Sequence, residues 1–234
     1  MLDAVGKQVA KARDGEPDGR RVRSISTRIS ILLAAERLFA EHGTANVSLK
    51  EIGAAAGQKN NGSVKYHFTD KDNLIRQIRL YRGKAIEENR ARLFAEIVFN
   101  KPAPQVRDFI SAAVGAFLTC FEEDNHFLGF WSRLVVEQHE VPGLFDGVMS
   151  ASTLTVLLAM MRQLLPCLTD DVLRERWDIL MVTAIHRLSR YHYELKANTQ
   201  TAPLEEKLED LISFLSAGFA APYLLNGVLR SAAS

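Results

Sequence analysis

Thiols are scarce: Cys120 and Cys167 are the only cysteines in 234 residues. Both lie in apolar segments without the paired spacing of a metal site. This excludes a disulfide scaffold and fits a reducing compartment, so a cytoplasmic protein is expected. Their apolar neighbours favour inert core thiols over reactive ones. Histidine is sparse too, and none of His42, His67, His126, His139, His186 and His192 lies three or four residues from another. No helix therefore presents a ligand pair, and no metal is expected. There is no Gly-x-Ser-x-Gly elbow and no Gly-rich phosphate loop, so no catalytic residue and no cofactor is assigned. Long hydrophobic runs are missing: "LTVLLAMMRQLLPCL" (154–168) is short and contains Arg162, which makes it a buried helix rather than a membrane span. The N-terminus has no apolar stretch before a small-residue cleavage site, so no signal peptide is expected. Strand-like alternation of useful length and internal repeats are also absent.

What is present is apolar residue content and an uneven charge. Hydrophobic residues make up 47% of the chain, enough for a sizeable core in one large or two modest domains. The net charge of +1 hides an asymmetry. Residues 1–84 carry 16 Lys and Arg against 9 Asp and Glu, and the remainder carries 13 against 19. A first third at +7 joined to a remainder at −6 implies that the first third meets a polyanion. Residues 1–24 mix Gly, Pro, Asp and Arg without a period and are expected to form a flexible basic tail. Its "RRVR" (20–23) either contacts backbone phosphate and minor groove as an arm or stands idle. The tail does not account for Lys50, Lys59, Lys65 and Lys71, which lie among helix signals.

From Thr27 onward the pattern becomes helical. In "TRISILLAAERLFAEHG", Ile31, Leu32, Ala35, Leu38 and Phe39 form one stripe, and Gly43 supplies a left-handed stop. "SLKE" (48–51) is a capping box opening a short second helix that ends at Gly57. A third short helix fits about 62–68, with Val64 and Phe68 facing inward. Thr69 or Asp70 then caps a long fourth helix of about 70–98. Three short helices with a tight Gly-containing turn form a helix-turn-helix pattern. With Val64 and Phe68 inside, Ser63, Lys65, Tyr66 and His67 lie on or beside the outer face. The free amides at that helix start favour phosphate, and these side chains suit phosphate oxygens or base edges.

"TRISILLAAERLFAEHGTANVSLKEIGAAAG" followed by "SVKYHFTDKDNL" resembles the DNA-binding domain of the TetR family of bacterial transcriptional repressors, over about residues 27–76. The carrying elements are Thr-Arg at 27–28, Ala-x-x-Leu-Phe-Ala-x-x-Gly at 35–43, "EIGAAAG" at 51–57, and Tyr-His-Phe followed by Asp-Lys-Asp-x-Leu at 66–74. The turn "GQKNNGSVKYHF" is one residue longer than the commonest spacing, and Lys65 stands where many members have tyrosine. The resemblance implies that Thr27, Ser48 and Lys71 touch phosphate. It also implies that Lys59, Asn60 and Asn61 in the turn, with Ser63, Lys65, Tyr66 and His67 on or beside the recognition helix, face DNA. Ser48 as a plain cap and Lys71 as a solvated lysine are the bland alternatives.

The rest of the chain reads as helices. "NHFLGFWSRLVVEQHE" (125–140) contributes Phe127, Phe130, Trp131, Arg133 and His139. With Met161, Trp177 and His186 these are candidates for an effector pocket with apolar walls and a few polar groups. A plain core is the stronger alternative for each of them. Two last stripes, about 170–196 and 203–221, look too apolar to be covered within one small domain. Leu173, Leu180, Leu188, Leu204, Leu208, Leu211 and Leu215 are the candidate contacts of a four-helix dimer interface. The expectation is an all-α homodimer. Residues 25–76 form the DNA-binding domain and residues 77–234 the effector-binding and dimerisation domain. Its partners are a palindromic double-stranded operator and a small-molecule effector, with no membrane. The rival readings are a helical enzyme and an architectural DNA binder without a ligand switch.

Overall fold

The computed structural model describes residues 19–60, 62–137, 152–225 and 228–230. The N-terminal part is α1 (Gly19–His42), α2 (Leu49–Ala55) and α3 (Ser63–His67). Ile31, Leu32, Ala35 and Phe39 recur along one side of α1 and are buried, and Val47, Ile52, Val64 and Phe68 close the same small core. α1 stops where Gly43 turns left-handed at φ +83°, with its amide still bonded to the Phe39 carbonyl at 3.0 Å. A side chain would be strained in that conformation. The capping box is present: Ser48 Oγ accepts from the Glu51 amide, and the Glu51 carboxylate accepts from the Ser48 amide at 2.8 Å. Gly53 lets α2 and α3 approach, since a Cβ there would lie 3.2 Å from Val64 Cγ2.

Asp70, rather than Thr69, caps α4 (Lys71–Asn100), accepting from the Asn73 amide at 2.7 Å. Its 30 residues span about 45 Å. α5 (Val106–Gly115) continues into a 3-10 helix (Ala116–Cys120), followed by α6 (Phe127–Glu137), α7 (Ser152–Leu164), α8 (Asp170–Lys196) and α9 (Leu204–Phe219). α4 packs on α5, the 3-10 helix and α7. α6 lies against both α1 and α8, and α9 covers α5 and α8. One connected apolar cluster runs from Ile31 to Phe219. Phe39 of α1 and Phe130 of α6, stacked 6.0 Å apart, join its two halves. No described helix is long and apolar enough to cross a membrane.

The fold is all-α, with two departures from the sequence reading. Gly19–Ser24, assigned to the flexible tail, are the opening turns of α1. Residues 22–26 are exposed, so no tertiary burial imposes an apolar period, and intrinsic helix propensity alone is a weak sequence signal. Residues 1–18 lie outside the described residues. The apolar helix expected to follow "VPG" (141–143) is described from Ser152; residues 138–151 lie outside. Finally, Tyr223–Leu225 pairs antiparallel with Val228–Arg230, Leu224 opposite Leu229. Strands of three residues are too short to read as alternation, although the intervening Asn-Gly (226–227) is a strong hairpin signal.

Candidate nucleic-acid interface

α3 presents the exposed side chains. Val64 and Phe68 are buried, which turns Lys65 and Tyr66 outward, and Tyr66 is 83% exposed. The Tyr66 and His67 rings meet edge to face, 5.1 Å apart. Burial, and then the nearby Arg28 cation, lower the His67 pKa, so its ring is a neutral hydrogen-bonding group rather than a second cation. Arg28, which the sequence reading counted in the family motif but gave no role, braces this helix from behind. Its guanidinium lies 4.8 Å from the centre of the Phe68 ring and bonds to Gln77 on α4. Because it is a polar residue on a mostly apolar helix stripe, nothing in the spacing marked it.

The turn before α3 holds the other predicted contacts. Lys59 is exposed. Asn60 is exposed as well, but its Oδ1 accepts from the Gly62 amide at 2.8 Å, so it shapes the turn. Ser63 is half-buried and donates to Gln58 Oε1 at 3.3 Å. Asn61 lies outside the described residues. Ser48 spends its hydroxyl on the cap, donating to Glu51 Oε2 at 2.7 Å while accepting from the Glu51 amide. Those bonds hold the Glu51 carboxyl below its ordinary pKa. Thr27 does not open α1: it is the ninth residue of that helix and half-buried, so it offers a hydroxyl but no free helix-end amide. Lys71 does open α4, yet its Nζ donates to the Thr44 carbonyl at 2.8 Å.

Thr44 belongs to a clamp that fastens this domain to the rest of the chain. The Glu137 carboxylate at the end of α6 accepts from the Thr44 amide at 2.8 Å and from its hydroxyl at 2.6 Å. Gly43 leaves room for that carboxylate, with which any Cβ would collide. At the other end of α6, Glu36 is 1% exposed. It accepts two bonds from Arg82 on α4, at 2.7 and 2.9 Å, and one from the His126 amide at 3.0 Å. Burial alone lowers the Arg82 pKa; the Glu36 hydrogen bonds and charge outweigh it, and the net shift is upward. α6 is thus gripped to α1 near both of its ends. These residues carried no sequence signal, because the pairs are separated by 46 to 93 positions.

The predicted pocket residues do not form one wall. Phe127, Phe130 and Trp131 are buried together at the α1–α6 contact, and Arg79 of α4 lies over the Trp131 ring at 4.7 Å. Arg133 points away from them and donates to the Glu41 carbonyl of α1 at 3.1 Å. Trp177 packs edge to face on Phe219, 6.5 Å apart, at the other end of α8. Met161 is buried on α7. His186 is exposed and shares a hydrogen bond with Ser132 at 3.0 Å. His139 lies outside the described residues. The predicted interface leucines also point inward. Leu180, Leu188, Leu211 and Leu215 are buried within their own chain, and Leu173, Leu204 and Leu208 pack against that core. A helical stripe says that a face is apolar, not which molecule covers it. The exposed apolar side chains of these helices are Ile179, Val182, Tyr193 and Phe214.

Residues 31–78 match the family model described as bacterial regulatory proteins, tetR family. No curated protein matches the chain in sequence. Among solved structures, a TetR family transcription regulator from Marinobacter aquaeolei VT8 is 16% identical. The match covers 85% of this chain and 97% of that one, with a TM-score of 0.52. A TetR-family regulator from Streptomyces coelicolor A3 is 19% identical over 87% of this chain and 99% of that one, with a TM-score of 0.43. The first of these similarities shows a shared fold.

Proposed function

We infer that this protein is a sequence-specific DNA-binding transcriptional regulator, a repressor released by a small-molecule effector, a reading supported by the match of residues 31–78 to the tetR family model. The observation that carries this reading is the tip of α3. Lys65 and Tyr66 are exposed on a short helix whose inner residues are locked into a core and whose back is braced by Arg28. A lysine and a rigid phenol presented this way fit base edges and phosphate oxygens in a major groove. Lys50 and Lys59, exposed nearby in sequence, add sequence-independent attraction to the backbone. Lys71 and Ser48 serve first as anchors of the domain.

One recognition helix reads too few base pairs for useful specificity, so the regulator works as a homodimer on a palindrome in the cytoplasmic nucleoid. The exposed Ile179, Val182 and Tyr193 of α8, with Phe214 of α9, make the self-association face. The effector acts by differential affinity for two arrangements of the dimer, a coupling of typically ~1–3 kcal/mol. α4 carries the change, together with α6 through the Glu36 and Glu137 clamp.

The test is a gel shift with DNA from upstream of the protein's own gene, followed by a screen of small molecules for release. A specific shift that an effector abolishes is expected. A shift that competitor DNA of any sequence removes equally contradicts the reading.

A further inference from the structure

α4 carries a buried cation with an unmet hydrogen-bond donor. Arg90 occupies a position of the helix's buried stripe, between Ile86 four residues before it and Phe94 four residues after it. Its exposure is 1%. Phe94 packs on Phe109 of α5, 6.1 Å between ring centres, and Asn89, next in sequence, bonds to the Gly115 and Ala116 carbonyls. The side chain is therefore enclosed in the domain behind the DNA-binding part. Its Nη1 pairs with Glu87, one turn back on the same helix. Its Nε is buried and has no hydrogen-bond partner.

A guanidinium has five N–H donors, and its Nε and Nη2 form a planar fork matched to a carboxylate. Here Glu87 takes the opposite corner, Nη1. The fork edge ends at Nε on an unmet donor, in surroundings where an unmet donor is costly. An apolar residue of similar size, such as methionine, would fill the position without that cost.

We propose that Arg90 is the recognition group for an acidic effector: an organic acid whose carboxylate takes the Nε–Nη2 edge and whose apolar body lies among the neighbouring Ile86, Phe94 and Phe109. This rests on the regulator reading and gives its effector a chemical class. Burial also lowers the Arg90 pKa, the sign expected for a cation still short of counter-charge. An anion bound at the fork supplies that charge on the helix that begins immediately after the recognition helix, so binding and DNA geometry share one element.

The test uses the full chain and thermal unfolding with octanoate and benzoate as probes, each beside its neutral amide. The acids are expected to raise Tm saturably in the wild type, and the amides are not. Arg90→Met is expected to lose the acid response, with its Tm without ligand and its far-UV circular dichroism read beside it as the control for folding. Arg90→Lys, which keeps the charge but lacks the fork, is expected to weaken the apparent affinity at least tenfold. The inference is overturned if neither acid raises the wild-type Tm, if the amides stabilise as much as the acids, or if Arg90→Met still responds. Operator binding by the same proteins, read in a gel shift, reports on the regulator reading alone. A chain that binds operator but ignores both acids sinks only the effector class.

Discussion

Lys65 and Lys71 stand six positions apart, and the structure gives them different work. Lys65 is exposed on α3, whereas the ammonium of Lys71 is held by the Thr44 carbonyl. Lys65→Ala is expected to weaken operator binding by ~1–3 kcal/mol and to relax preference at one base position; binding curves on single-base operator variants measure both. Lys71→Met is expected to lower Tm, by the ~0.5–1.5 kcal/mol of one hydrogen bond, while the slope of affinity against salt stays unchanged. A slope reduced by about one would restore Lys71 as a phosphate ligand. The helix caps and stops were legible in the sequence at this scale, because Ser48, Glu51 and Gly43 act on neighbours a few residues away. Arg28, Glu36 and Glu137 were not legible, since what fixes their role is a partner brought up only by folding.

At the scale of elements, α6 is the piece that the sequence hid. Its aromatic run was a candidate pocket lining with a plain core as the stronger alternative, and in the structure it is the joint between α1 and α8. Glu36 is buried and Arg82 largely so, so truncating one partner strands a charge. Arg82→Met is expected to destabilise the protein by about 3–5 kcal/mol, measured by urea unfolding. Gly43→Ala is expected to destabilise as well, since the left-handed φ and the Glu137 carboxylate both oppose a Cβ. α8 and α9 were found in the right places from their leucine stripes, but the stripes mark the face turned to the chain's own core. Ile179, Val182, Tyr193 and Phe214 are interspersed with polar residues such as His186 and Ser213, which blurs their period. Phe214→Glu is accordingly expected to give a folded monomer by light scattering with an unchanged Tm. Leu211→Asp is expected to unfold the protomer instead. A dimer that persists in the Phe214 variant would move the interface elsewhere.

At the scale of the whole molecule, three histidines set an acid limit. Burial is the first cause that lowers the pKa values of His67, His126 and His192 from the ordinary 6.5, with nearby cations adding to it. The unfolded chain binds these protons more readily than the folded one. Stability is therefore full above 6.5 and is lost as pH falls below it. Tm is expected to hold from about pH 8 to 7 and to drop towards pH 5, with a shallower drop in His192→Gln; a pH series of melting curves checks both. The all-helical class was legible because long amphipathic stripes are a property of period. Assembly was not, because a stripe does not say which molecule covers it.

The central claim is that a pair of α3 helices reads a twofold DNA site, and selection from random duplex DNA with the purified full chain at moderate salt tests it most directly. The account predicts an enriched inverted repeat whose half-site centres lie one helical turn, about 34 Å, apart, bound by two copies and released steeply as salt rises. A pool that stays unenriched would contradict it.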